Sequence, residues 1–354
     1  MAERVAVRVA GRDPYQDSYH YASLQPDFEE LTAEAEELVA AETGLRPLTG
    51  PARARVTDRA GWVKANIASF QRLLRPLTDR LAQRMPNGSG IAAPLTGVAR
   101  TISGVELGTM LGWMSTRVLG QYDLLLVEEE RPEDQDIVYY VGPNVIALEK
   151  RFGFPPREFR LWLALHEVTH RAQFTGVPWM RPHFLGLVES SLGAVDPDPK
   201  RFLNALRRAV EEMRAGRNPL ADGGIVALLA GEEQRVVLNR IQGMMSLLEG
   251  HGDVTMDRAA ADRIPSADRF SRVLRERRGQ SRGMAKALQQ LIGLEAKLKQ
   301  YEQGEAFIRA VEEAGGRPLL DLVWTGPEAL PTLDEVREPD RWLARMASSG
   351  VSTR

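Results

Sequence analysis

The stretch LALHEVTHRAQF, residues 163 to 174, lies between Pro155-Pro156 and Gly176, and this arrangement constrains the chain more than any other part of it. The two prolines start a helix and the glycine ends it, so His166, Glu167 and His170 fall inside one helix rather than across a loop. Phe159, Trp162, Leu163 and Gln173 share the histidine face, which predicts that this face points into the protein. Two imidazoles on an inward face require polar partners there.

The spacing suits a metal. Helical residues four apart lie about 40° apart around the axis, so both imidazoles can converge on one point. Zinc accepts imidazole nitrogen, and catalytic sites use three protein ligands and a water. Glu167, one step round from His166, is placed to take a proton from that water without being a ligand, which is general-base chemistry. The plainer alternative is a hydrogen-bonded pair of core histidines beside a surface glutamate; the three residue types at these spacings favour the metal.

A third ligand must come from elsewhere. A histidine six residues after the second is excluded, because position 176 is Gly. The segment MMSLLEGHGDVTMD, residues 244 to 257, offers Glu249 as ligand and Asp253, one turn later, as a group that orients a ligand histidine. His251 competes, but on a continuous helix it lies about 200° from Glu249, so the two cannot face one metal. Glu249 shares its face with Gln242, Ser246 and Asp253, a polar and small-residue side; His251 sits with Met244, Leu247 and Leu248, a core-like side. Gly250 and Gly252 weaken the helix assumption, which leaves His251 as the alternative and Glu189, His183 or Asp253 as remoter candidates. His20 reads as a surface residue. Zinc is the expected cofactor, although two histidines and a carboxylate hold other divalent ions too.

Composition narrows the chemistry further. The absence of cysteine removes disulfides, thiolate ligands and a cysteine nucleophile. Lys and Arg total 46 against 48 Asp and Glu, a net charge of −2 that lacks the pull of a polyanion binder. The basic run RFSRVLRERRGQSRGMAK, residues 269 to 286, reads as a solvated helix face rather than a nucleic-acid site, since no aromatics are interleaved. The most apolar segment, residues 101 to 120, is interrupted by Glu106 and Arg117, so no membrane span is expected. The N-terminus has no apolar core of signal-peptide length, which gives a cytoplasmic expectation.

Along the chain, residues 26 to 44 read as an acidic surface helix, followed by the Pro-rich loop RPLTGPA. Residues 57 to 85 read as two helical pieces broken near Pro76, with Asp58 as N-cap. Gly104, Gly108 and Gly112 form one helix face, expected to be a groove where another backbone packs closely. YDLLLVE (122–128) and DIVYYVG (136–142) read as a small sheet beside the motif helix, with the second as a possible edge for an added peptide strand. Helices follow: HFLGLVESSL, residues 199 to 216, roughly 224 to 258, 267 to 278, and 284 to 316. The class is mainly α (α+β), a helical bundle with one small sheet. No composition break divides the chain, so a single domain over 1–354 is expected, with residues 1–50 peripheral and 346–354 frayed.

Six stretches, GWVKANIASFQRLLRPL, LGWMSTRVLGQYDLLL, YYVGPNVIALE, LALHEVTHRAQFTGVPW, SLLEGHGDVTMD and LGLEAKLKQYEQGEAFI, resemble in order a bacterial family of zincin-like metallopeptidases, long catalogued as a domain of unknown function. The resemblance spans nearly the whole chain. It implies a minimal, largely helical zincin-like fold, with His166 and His170 as metal ligands and Glu167 as general base. The EGH element is shared with the family and leaves both Glu249 and His251 open. Some related members are associated with biosynthesis of a deazaflavin coenzyme. The expected activity is a zinc-dependent peptidase or amide hydrolase acting on a peptide or small amide; the competing expectation is a catalytically inactive scaffold that keeps the fold.

Overall fold

The computed structural model describes residues 1–69 other than 14 and 16, residue 105, and residues 108–124, 136–193, 232–261, 263–279 and 294–349. The described chain is mostly helical, with one three-stranded sheet. It divides into two compact units, Met1–Gly176 with Thr255–Arg272, and Val177–Val254 with Val273–Arg354.

In the first unit, α1 (Ala2–Ala10), α2 (Tyr19–Ala22) and α3 (Leu24–Thr43) precede β1 (Arg53–Thr57). Two helical stretches follow, α4 over residues 59–69 and α5 over residues 108–115. Then come β2 (Gly120–Tyr122), β3 (Ile137–Val141), α6 (Gly142–Phe152) and α7 (Pro156–Thr175), the motif helix. The sheet order is β1-β3-β2, with β1 parallel and β2 antiparallel to β3. Hence β3 is the central strand, not the edge expected for DIVYYVG. It does not lead directly into the motif helix either, because α6 intervenes. β1 was hidden because RARVT is short, charged and next to a Pro-rich loop; its outer edge is held by Gln25, whose side chain accepts from the Val56 N–H (2.7 Å) and donates to the Ala54 carbonyl (3.0 Å).

α3 corrects the expectation of a surface helix. Its acidic residues decorate one side, but Leu24, Phe28, Leu31, Ala35 and Val39 are buried and α3 lies along α7. Burial of each large aliphatic or aromatic side chain stabilises by about 1.5–3 kcal/mol, so the first 50 residues contribute core rather than periphery. Phe28 stacks on Tyr140 of β3 with centroids 3.8 Å apart, and Thr32 shares a 2.8 Å hydrogen bond with the Tyr140 hydroxyl.

The glycine groove has an occupant. A Cβ at Gly108 would lie 2.4 Å from the Ala2 carbonyl oxygen, and one at Gly112 would lie 2.4 Å from that of Ala6, so α1 crosses α5 at backbone contact. Gly104 lies outside the described residues. Around this crossing Ala6, Trp62, Val63, Leu111 and Val141 form a buried cluster. Asn144 of α6 ties it together: its amide donates to the Ser115 and Val118 carbonyls (both 2.7 Å) and its Oδ1 accepts from Arg59 Nε (2.9 Å).

The second unit contains α8 (Met180–Gly193), most of α9 (Glu232–Ala260), α11 (Leu294–Leu320), α12 (Leu333–Arg337) and α13 (Pro339–Ser348); α10 (Ala267–Gly279) spans the division between the units. The helix expected from 224 is described from Glu232, and the readings over residues 70–85, 199–216 and 284–293 lie outside the described residues. α9 is continuous through Gly250 and Gly252. Gly250 is there for packing, since a Cβ on it would lie 2.3 Å from the Gly304 carbonyl carbon of α11. α11 breaks at Gly316, whose φ of 72° precedes Pro318. The C-terminal segment expected to fray stays helical to Ser348 with Met346 buried; residues 350–354 are not described. Thr332 and Glu335 form a capping box, and Arg345 holds the Glu335 carboxylate at 2.6 and 3.0 Å. No helix among the described residues is long and apolar enough to cross a membrane.

Candidate metal centre

The motif helix is held by two buried arginines. Arg160 meets Glu149 of α6 through paired bonds of 2.8 and 2.9 Å and also contacts Asp27 of α3. Arg171, fully buried, forks onto Asp136 at 3.0 and 2.7 Å, bonds Glu36 of α3 at 2.6 Å and donates to the Gly50 carbonyl at 2.6 Å. Burial pushes the Asp136 carboxyl up, but hydrogen bonds from Arg171, Thr49 and Tyr122 and the guanidinium charge outweigh it, and the carboxyl titrates below its ordinary value. Both ends of α7 are thus fixed by charge-assisted bonds that flank the site.

Between these anchors, His166 and His170 are half-buried and their Nε2 atoms lie 3.2 Å apart, with ring planes at 85°. Two imidazoles on one tetrahedral zinc, with bonds of about 2.0–2.1 Å, place their nitrogens about 3.3 Å apart. Gln173 Oε1 lies 3.0 Å from His170 Nδ1. A carboxamide oxygen only accepts, so Nδ1 carries the proton and Nε2 presents its lone pair, the tautomer a metal needs.

Glu167 is buried and reaches the sheet: its Oε2 accepts the backbone N–H of Tyr122 at 3.1 Å. A Cβ at Gly120 would lie 2.7 Å from Glu167 Cγ and 2.8 Å from Oε1, so the carboxylate occupies the place of a side chain at 120. Gly120 and Tyr122 turn their backbone polar groups away from β3, because the ladder bonds run through Leu119 and Asp123.

Glu249 is buried on α9, in the part of that helix that belongs to the second unit. Two imidazole nitrogens with a carboxylate oxygen make a donor set that fits zinc. His251 is also on α9. It is buried against Trp324, edge to face with centroids 4.9 Å apart, which agrees with the core-like side read from the helix periodicity. Asp253 is half-buried one turn beyond Glu249. His183 packs against Trp179 at 6.0 Å, and burial, then Arg240, lowers its pKa. Glu189 and His20 are exposed.

The sequence did not disclose Gly120 or Tyr122 as neighbours of Glu167, nor the roles of Arg160 and Arg171. The arginines had a signal: two cations on a helix read as inward-facing require buried acids. Gly120 had none beyond a glycine at the start of a strand, where close approach of another group is the usual reason.

No curated protein matches the chain. A solved structure from Chloroflexus aurantiacus, named "putative hydrolase with a novel fold", is similar over 99% of this chain and 98% of its own, at 30% identity and a TM-score of 0.71. The family model for zincin-like metallopeptidases matches residues 1–343. With that match covering almost the whole length, the chain belongs to the zincin-like metallopeptidase family.

Proposed function

We propose that the protein is a zinc-dependent hydrolase of peptide or small amide bonds, with His166, His170 and Glu249 as metal ligands and Glu167 as general base. The observation that carries the reading is the pair of imidazole nitrogens 3.2 Å apart on one helix, with the His170 tautomer set by Gln173. A zinc ion held there supplies Lewis acidity, polarising the scissile carbonyl and making a water molecule easier to deprotonate. Glu167 takes that proton on a carboxylate oxygen and returns it to the leaving amine. Asp253, spaced one turn from Glu249, orients a ligand histidine through the ring nitrogen that does not meet the metal. Tyr122 fixes one oxygen of the base through its N–H. An extended substrate lies along the outer side of β2, where the Gly120 backbone groups face away from the sheet.

The test is Glu167→Gln in the zinc-loaded protein, assayed on an unbiased peptide library and on simple acyl amides. Metal content is expected to stay at the wild-type level while turnover falls by about 10²–10⁴-fold. Unchanged turnover would reject the general-base role. Wild-type protein that binds no zinc would favour the inactive scaffold instead.

A further inference from the structure

β2 is the shortest strand of the sheet, yet both of its outward-facing residues are engaged with Glu167. Tyr122 donates its N–H to Oε2, and Gly120 leaves the space that Cγ and Oε1 fill. The Tyr122 side chain also acts on the Asp136 carboxylate, helping to hold that carboxyl below its ordinary value. Asp136 receives the Arg171 fork, and Arg171 stands one helical turn after Glu167 on α7. The contacts therefore close a ring: Glu167, the Tyr122 backbone, the Tyr122 ring, Asp136, Arg171 and back to α7.

We propose that Tyr122, with Gly120, positions Glu167, and that the Asp136–Arg171 pair braces it. This rests on the reading of Glu167 as the general base. The physical need is plain. A glutamate side chain has three rotatable bonds, and a base must hold its oxygen within about half an ångström of the productive place. Burial alone leaves several rotamers open to a carboxylate. One charge-assisted bond from a strand amide, with a glycine beneath the side chain, selects one of them. The hydroxyl of Tyr122 matters because a three-residue strand, at the sheet's edge among the described residues, would otherwise let its outward N–H wander.

The experiment is site-resolved amide hydrogen exchange at Tyr122 in the full-length, zinc-loaded protein, comparing wild type with Gly120→Ala, Tyr122→Phe and Glu167→Ala. An outward N–H on an edge strand exchanges quickly unless something accepts it. The wild-type amide is expected to be slowed by at least about ten-fold relative to Glu167→Ala, since bonds to charged groups are worth that much. Gly120→Ala and Tyr122→Phe are expected to lose most of this protection while retaining zinc content and the protection of the β3 amides. Wild-type exchange at Tyr122 as fast as in Glu167→Ala would overturn the proposal. So would unchanged protection in both Gly120→Ala and Tyr122→Phe. If either variant fails to fold, the wild-type and Glu167→Ala comparison still decides. A protected Tyr122 amide beside a Glu167→Gln variant of full activity would sink the general-base reading while leaving the latch intact.

Discussion

Gln173 Oε1 lies 3.0 Å from His170 Nδ1, one turn C-terminal to the imidazole it orients. That bond turns the bare Nε2 of His170 toward His166 Nε2, 3.2 Å away. Two nitrogens at that separation must share either a proton or a cation. A carboxylate ligand supplied by Glu249 would favour the cation, since it adds a third donor and a negative charge.

Glu249 and His251 should therefore separate cleanly in zinc binding. Glu249→Gln removes a charged ligand and is expected to weaken zinc affinity by about 10²-fold or more, measured by chelator competition. His251→Phe keeps the ring against Trp324 and is expected to leave zinc affinity within a few-fold of wild type. The reverse pattern would transfer the ligand role to His251.

Arg171 is fully buried and neutralises Asp136 and Glu36. Arg171→Met leaves both carboxylates without their cation, which is expected to cost about 3–5 kcal/mol of folding stability. Denaturant unfolding of the metal-loaded protein measures this. A loss below about 1 kcal/mol would show the network to be dispensable.

Acid should undo the same network. The Asp136 carboxyl titrates below 3.8 in the folded protein, so its unfolded form binds protons first as pH falls. The stabilisation is complete above the unfolded value and is lost as pH drops from about 3.8 through the lower folded value. Thermal unfolding should show a melting temperature that declines through this window, and Asp136→Asn should flatten that decline. An equal decline in the variant would place the acid sensitivity elsewhere.

The α1–α5 crossing makes a local prediction. Gly112→Ala sets a methyl 2.4 Å from the Ala6 carbonyl oxygen, so α1 must shift. The expected cost is about 1–3 kcal/mol with no change in zinc content. Unaltered unfolding midpoints would contradict backbone contact at this crossing.

The motif helix was legible because helical periodicity and the flanking prolines and glycine are local signals, whereas burial of nearly its whole circumference, with the two histidines only half-buried, was not. α9 as a helix was legible for the same reason. The origin of Gly250 was not, because its partner, Gly304, is far away in sequence. β1 escaped for a related reason: a five-residue charged strand is defined by pairing with β3 and by the Gln25 clamp, not by its own pattern. α3 misled because its acidic composition masked an apolar stripe from Leu24 to Val39. Gly120 and Tyr122 were silent since their roles depend on a carboxylate that follows Tyr122 by 45 residues and is met only through the tertiary fold.

The most direct measurement is anomalous diffraction at the zinc absorption edge from crystals of protein purified without chelator. The account expects one strong peak bonded at about 2.0–2.2 Å to His166 Nε2, His170 Nε2 and an oxygen of Glu249. Histidine rings joined by a hydrogen bond, with no peak between them in zinc-supplemented crystals, would contradict it.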